Sequence, residues 1–366
     1  MSWTRRLSFL AIIWVVAIAL LLAGTELALR LTGDGWSRTL RLNLVRSRTY
    51  DFPVGHLYES TRPTVRYVRD RYGLRDDCES PAEIDILTIG GSTTDQRFLA
   101  QDETFQAVME ASLERLMGTS LCVSNAGVDG HSTHGHLRAF RDWFPLIPGL
   151  RPKLFVFSIG INDADFTREG PGDFENRVLG RASGLKELHV VQLLLWLRDV
   201  VKSELGARPA HAGHRRYRPL PSEFSQVALA PDTPERALRN AVAFRSRLRR
   251  LLADARARGG EAICVTQPHR MVRTVDGRRL GLRLGALTGA ARGAYGGLDL
   301  DHALRLLYGV MREECGEHAL VDVYAMRFGE GDFYDLVHTT PTGARKIGLA
   351  IASFIAQSEL KDDLAQ

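Results

Sequence analysis

Three residues of this 366-residue sequence, far apart along the chain, are of the types that make a nucleophile and its base. Ser92 ends the run IDILTIGGS, residues 84–92, at the point where a helix could begin. Asp335 and His338 stand three apart in DFYDLVHTTPTG, residues 332–343, so a tight turn or a helix start turns both to one side. A carboxylate that accepts a hydrogen bond from one ring nitrogen leaves the other free to act as base on a serine hydroxyl. Two further stretches offer donors. NAGVDGHS, residues 125–132, has two glycines that let a backbone amide face a ligand closely. GIND, residues 160–163, offers the Asn162 side chain as a donor, with Asp163 bracing the loop. Each stretch also has an ordinary reading, because Gly-Gly-Ser and Asn-Asp are common in turns and a surface Asp and His need share no duty.

A parallel sheet would bring these residues together. Ile84, Ile86, Leu87 and Ile89 predict a buried strand over 84–90 that feeds the Gly90-Gly91 turn. Strands are expected again at 121–126, 153–160, 261–266 and 319–323. Helices are expected near 102–117, 137–144, 185–203, 234–258, 300–315 and 342–357. Such alternation predicts an α/β fold, a three-layer α/β/α sandwich. In open sheets of this kind ligands bind beyond the carboxyl ends of the strands. Ser92, 125–132 and 160–163 all fall there, and so do Gln267 and His269, which are either substrate contacts or a loop that happens to end there. Residues 205–232 read as a surface loop or linker, 276–297 as an irregular excursion, and the apolar helix 185–203 as packed against the domain.

In this order and at these strand ends, the four stretches resemble the SGNH, or GDSL-type, serine hydrolase family over residues 84–357. The resemblance implies a flavodoxin-like, parallel five-stranded sheet in the order 2-1-3-4-5. It implies Ser92 as nucleophile, His338 as base and Asp335 as the acid that fixes the imidazole tautomer. The oxyanion hole would be formed by the amide of Ser92, Gly130 and the Asn162 side chain. On that scheme Ser92 attacks an ester carbonyl as His338 takes its proton, with no cofactor and no metal. One residue departs from the pattern: Gly91 stands where the family signature has Asp. That Asp is outside the triad, so the departure bears on subfamily and substrate. The G-x-S-x-G elbow of α/β-hydrolases is absent around Ser92. His131, His134 and His136 lack an accompanying carboxylate cluster and read as a polar rim of the pocket, which makes His131, with Asp163, a candidate substrate contact.

At 45% hydrophobic and 25% charged, the chain can bury a sizeable core. Its formal charge is +5, but the arginines are scattered and no aromatic–basic alternation marks a nucleic-acid binder. A basic balance suits an anionic surface or polymer nearby. Residues 7–25 carry no charged side chain and follow Arg5-Arg6. As a helix they would span a bilayer core of roughly 30 Å. No good cleavage site follows, so the segment reads as an uncleaved anchor rather than a signal peptide. The expected organisation is an anchor over 1–29, an Arg-rich connector with a small hairpin over 30–80, and a hydrolase-like domain over 81–360.

Counted by Lys and Arg alone, the flanks of the anchor would leave the domain in the cytoplasm. A short amino tail is easily retained and long domains translocate largely regardless of charge, so the domain is expected outside it, in the periplasm or at the cell surface. Cys78 with Cys122, and Cys264 with Cys315, flank strands; two disulfides and four buried thiols are both open. The function expected is a serine esterase or O-acyltransferase acting on small acyl esters, acetyl foremost, of a cell-envelope glycan. The glycan enters through the resemblance and the anchor, not through a sugar-binding residue. A non-catalytic glycan-binding or scaffold protein, and a lipid esterase with 185–203 along an acyl channel, are the alternatives.

Overall fold

The computed structural model describes residues 3–32, 42–164, 215–283 and 295–365, with Thr39 and positions scattered between 188 and 201. The chain opens with helix α1 (Trp3–Thr32), whose segment Ile12–Leu31 is long and apolar enough to cross a membrane and is mostly exposed, with Glu26 buried where it accepts from Val190 N. Strands β1 (Arg48–Pro53) and β2 (Thr64–Arg69) then pair antiparallel. Side chains alternate along β2, so Val65, Tyr67 and Arg69 turn inward. The two apolar ones join Phe52, Leu57, Tyr58, Phe98 and Tyr334 in a small aromatic core.

The main sheet is built from β3 (Ile84–Gly90), β4 (Cys122–Asn125) and β5 (Leu154–Ser158), with later strands described below. A short β6 (Phe224–Ser225) precedes β7 (Glu261–Val265), the hairpin β8 (Val272–Val275) and β9 (Arg278–Leu282), and finally β10 (Leu320–Val321). Strands β4, β3, β5, β7 and β10 lie side by side in that order, all parallel. In chain order this is 2-1-3-4-5, the arrangement that the resemblance implies.

Helices cover both faces. After the single turn α2 (Ser92–Asp95) come α3 (Phe105–Met117), α4 (Thr133–Arg138), α5 (Thr233–Ala257), α6 (Gly297–Cys315), α7 (Pro341–Gln357) and α8 (Leu360–Ala365). Successive strand residues point to opposite faces. Ile86, Val156 and Ile263 therefore pack with Met109, Leu113 and Ile351 of α3 and α7. Leu87, Phe155 and Phe157 pack on the other face with Phe244, Leu248, Leu304 and Leu307 of α5 and α6. Cys78 is joined to Cys122 and Cys264 to Cys315, so one bridge ties the connector to β4 and the other ties β7 to the end of α6.

Four expectations change. The excursion placed at 276–297 begins instead with the β8–β9 hairpin, whose Asp276-Gly277 turn has φ of 49° and 73° at its two central residues. Asp-Gly is a preferred pair for that two-residue turn; residues 284–294 lie outside the described part. The loop placed at 205–232 ends in β6, which pairs with β9, while 205–214 lie outside the described residues. The helical stretch expected over 137–144 is present but starts at Thr133 and changes form, α4 passing into a single π turn over Ala139–Trp143 before Pro145 ends regular helix. Of 185–203, the described positions from Val190 to Val201 are helical, Leu188 is a bend, and the rest lie outside. There Val190 is buried, but Leu194, Leu197 and Val201 are exposed rather than packed on the domain.

Candidate active site

All five residues of the expected catalytic set lie beyond the carboxyl end of the main sheet. Ser92 follows β3 at the first position of α2, reached through two glycines that cannot be larger. A Cβ on Gly90 would meet Thr94 Oγ1 at 2.0 Å and the Ser158 carbonyl at 2.4 Å. A Cβ on Gly91 would meet Asn162 Nδ2 at 2.5 Å and the His131 carbonyl at 3.0 Å. The residue that departs from the family signature is thus the one whose backbone runs directly against the Asn162 amide.

His338 comes from the opposite side of the crevice. Its loop closes on itself through Tyr334 N donating to His338 O at 3.1 Å and a β-bridge between Phe333 and Thr339. Within that loop one Asp335 oxygen accepts from the backbone amides of Val337 and His338, at 2.9 and 2.7 Å. The other lies 2.7 Å from His338 Nδ1. His338 Nε2 is then 2.8 Å from Ser92 Oγ. The ring is stacked on Tyr334, centroid to centroid 5.6 Å and 7° from parallel, which continues the aromatic core under the β1–β2 pair. Burial pushes the imidazole down, but the charge and hydrogen bond of Asp335 outweigh it and hold His338 above its ordinary value. That favours a basic Nε2 aimed at the serine.

The donor loops lie beside this pair. Val128 to His131 form a turn closed by His131 N donating to Val128 O at 3.1 Å, with Gly130 at φ +80°. That conformation favours glycine. Asn162 Nδ2 donates to the His131 carbonyl at 2.8 Å, which ties the two donor loops together. A side-chain amide carries two hydrogens, so one remains for a ligand.

The other expected contacts are taken up internally. Gln267 is buried: its Nε2 donates to Thr93 Oγ1 at 2.6 Å and Ser158 O at 3.0 Å, and its Oε1 accepts from Ile161 N at 2.8 Å. It therefore brackets the residue after Ser92 and the residue before Asn162 rather than reaching into the crevice. Asp163 accepts from Thr133 N and Oγ1 and faces Arg247, bracing α4. His131 is buried, not on a rim; its Nε2 donates to Leu42 O at 2.7 Å, and Gly135 presses against its ring. His136 is buried too, and burial with the neighbouring His131 pushes its imidazole well down. His269 turns under the sheet end toward Asp301, 3.3 Å away, its Nδ1 accepting from Met271 N.

A buried charge network beneath Ser92 has no counterpart among the expected residues. One Asp95 oxygen meets Arg69 and Tyr67, and the other meets Arg97. Burial would push the Asp95 carboxyl up, yet the two guanidiniums hold it down at about 2. Arg69 also donates to the Asn125 and Gly127 carbonyls at 2.7 and 2.6 Å. Arg75 donates to the Asp95, Gln96 and Leu99 carbonyls behind α2. One signal in the sequence does point to Arg69, because it falls in phase with Val65 and Tyr67 on the inward face of β2.

Among curated proteins none matches the sequence. Solved structures that are similar share little identity. An α/β hydrolase from the metagenome of Lake Arreo, Spain, is 16% identical, with TM-score 0.38, covering 74% of this chain and 93% of its own. A lipase/acylhydrolase from Enterococcus faecalis is 13% identical, with TM-score 0.40, covering 75% and 96%. An acetyl xylan esterase from Geobacillus stearothermophilus is 15% identical, with TM-score 0.38, covering 75% and 94%. The model of the GDSL-like lipase/acylhydrolase family, in contrast, matches residues 88–346, well over half of the chain and the whole span from Ser92 to His338. The chain therefore belongs to the GDSL-like lipase/acylhydrolase family and is a hydrolase of ester substrates.

Proposed function

We propose that the protein is a membrane-anchored serine esterase that removes a small acyl group, acetyl foremost, from a cell-envelope glycan. The observation that carries the serine mechanism is the continuous chain from Asp335 through His338 to Ser92, with contacts of 2.7 and 2.8 Å. His338 takes the Ser92 proton as Oγ attacks the acyl carbonyl, and Asp335 holds the proton on Nδ1 and stabilises the imidazolium. The amides of Ser92 and Gly130 and the free hydrogen of Asn162 meet the oxyanion; one such donor is commonly worth about 10²–10³ in turnover. His338 then returns its proton to the leaving alcohol, and water releases the acyl group by the same path. Transfer to a sugar hydroxyl instead of water uses the same residues and differs only in the acceptor.

A glycan substrate is supported by the anchor and by an extracytoplasmic location, which the Cys78–Cys122 and Cys264–Cys315 bridges favour. The full-length protein in detergent, given acetylated xylan, acetylated peptidoglycan and p-nitrophenyl esters of increasing chain length, should release acetate from a glycan and prefer acetyl over long acyl esters. A preference for long chains would replace this reading with a lipid esterase.

A further inference from the structure

We propose that Arg97 is a positioning residue for this site, locking the turn that carries Gly130 to the turn that carries Ser92. The inference rests on the serine-esterase reading above. Arg97 lies just after α2, with its side chain 9% exposed. Its Nε and Nη2 donate to one oxygen of Asp95, at 3.1 and 2.9 Å, and its Nη2 also lies 3.4 Å from Asp129 Oδ2. Asp95 ends the helical turn that Ser92 begins, and Asp129 immediately precedes Gly130. One guanidinium therefore spans the nucleophile turn and the oxyanion turn.

The far side of the bridge is fixed by the connector. Arg69 and Tyr67 hold the other Asp95 oxygen, and Arg69 grips the Gly127 carbonyl at the start of the same oxyanion loop. Asn43, also in the connector, donates to the Asp129 carbonyl at 3.2 Å. Burying three guanidiniums, of Arg69, Arg75 and Arg97, around two carboxylates carries a large desolvation cost, and well-packed apolar side chains often stabilise a fold as well or better. Fixing the relative position of two loops is something apolar packing does with less angular definition.

The same charges face the base. Around His338, Asp335 comes from its own loop, Asp129 from the loop after β4 and Arg97 from the end of α2; the two aspartates raise its affinity for a proton and Arg97 lowers it. The two members of the bridge thus have opposite signs at His338, which a purely structural contact would not reveal.

The test uses the full chain in detergent, with p-nitrophenyl acetate as substrate and kcat and KM measured from pH 5 to 9, for the wild type and Arg97→Gln, Arg97→Lys and Asp129→Asn. Arg97→Gln is expected to lose about 10- to 100-fold in kcat with KM little changed, the scale of a donor displaced by a fraction of an ångström to an ångström. Arg97→Lys should recover part of that loss. The acidic limb of the profile should move to higher pH in Arg97→Gln and to lower pH in Asp129→Asn. Wild-type kcat in both, or limbs that stay in place or move together, would overturn the proposal. Should Arg97→Gln not fold, Asp129→Asn decides: a lowered kcat with a limb moved down supports the bridge, and a wild-type profile overturns it. A wild type that neither hydrolyses the ester nor labels at Ser92 overturns the esterase reading and this one with it, whereas an active wild type with indifferent variants overturns this one alone.

Discussion

Gly91 determines more of the candidate site than its size suggests. In the family signature an Asp stands at this position, yet here the backbone touches the amide of Asn162, and a Cβ would sit 2.5 Å from Nδ2. Gly91→Ala is therefore expected to push Asn162 out of place and lower kcat by about 10² or more, on the scale of losing an oxyanion donor. Steady-state kinetics on p-nitrophenyl acetate check this, and an unchanged kcat would show that Asn162 has no such duty. His338 makes a second prediction. Its folded-state affinity for protons is raised by Asp335, and only the neutral imidazole can accept the Ser92 proton. Activity should thus rise with pH through a midpoint above the ordinary imidazole value near 6.5. Asp335→Asn should lower that midpoint and reduce kcat by about 10⁴, because the wrong tautomer is then presented to the serine. A pH profile of both proteins measures the two effects together.

At the scale of elements, local pattern and long-range contact divide what is legible. The strand at 84–90 and the apolar run at 153–160 show themselves because both faces are buried, and the helix start at Thr340-Pro341 shows itself through its cap. The order of motifs along the chain is enough to place Ser92, Gly130, Asn162, Asp335 and His338 around one crevice. The duties of the 48–75 segment are not visible in the same way. Arg69 finds its partners 26, 56 and 58 residues away, and nothing local to β2 names Asp95 or Gly127. Gln267 and His131 mislead for the same reason: each lies at the correct sheet end, and only the packed neighbours Thr93, Ile161 and Leu42 decide that the side chain turns inward. The β8–β9 hairpin is a different case, since Asp276-Gly277 is a local turn signal that the Gly- and Arg-rich surroundings obscure.

In the whole molecule, an apolar N-terminal helix is joined to a hydrolase domain through a connector that also supports the candidate site. The His131 ring and the Asp129 carbonyl are held by Leu42 and Asn43, only a short way past the end of α1. A domain outside the cytoplasm makes both disulfides accessible to oxidation, and it predicts that a reporter active only outside the cytoplasm, fused after Gln366, gives signal while a cytoplasmic one stays silent. The reverse pattern would place the domain inside and remove the envelope glycan from consideration. Covalent labelling reads out an activated serine at Ser92. Full-length protein in detergent would be treated with a fluorophosphonate probe and read by intact mass, beside Ser92→Ala and His338→Ala. One adduct is expected on the wild type and none on either variant. A folded wild type that takes no label, or an adduct that persists in Ser92→Ala, would contradict it.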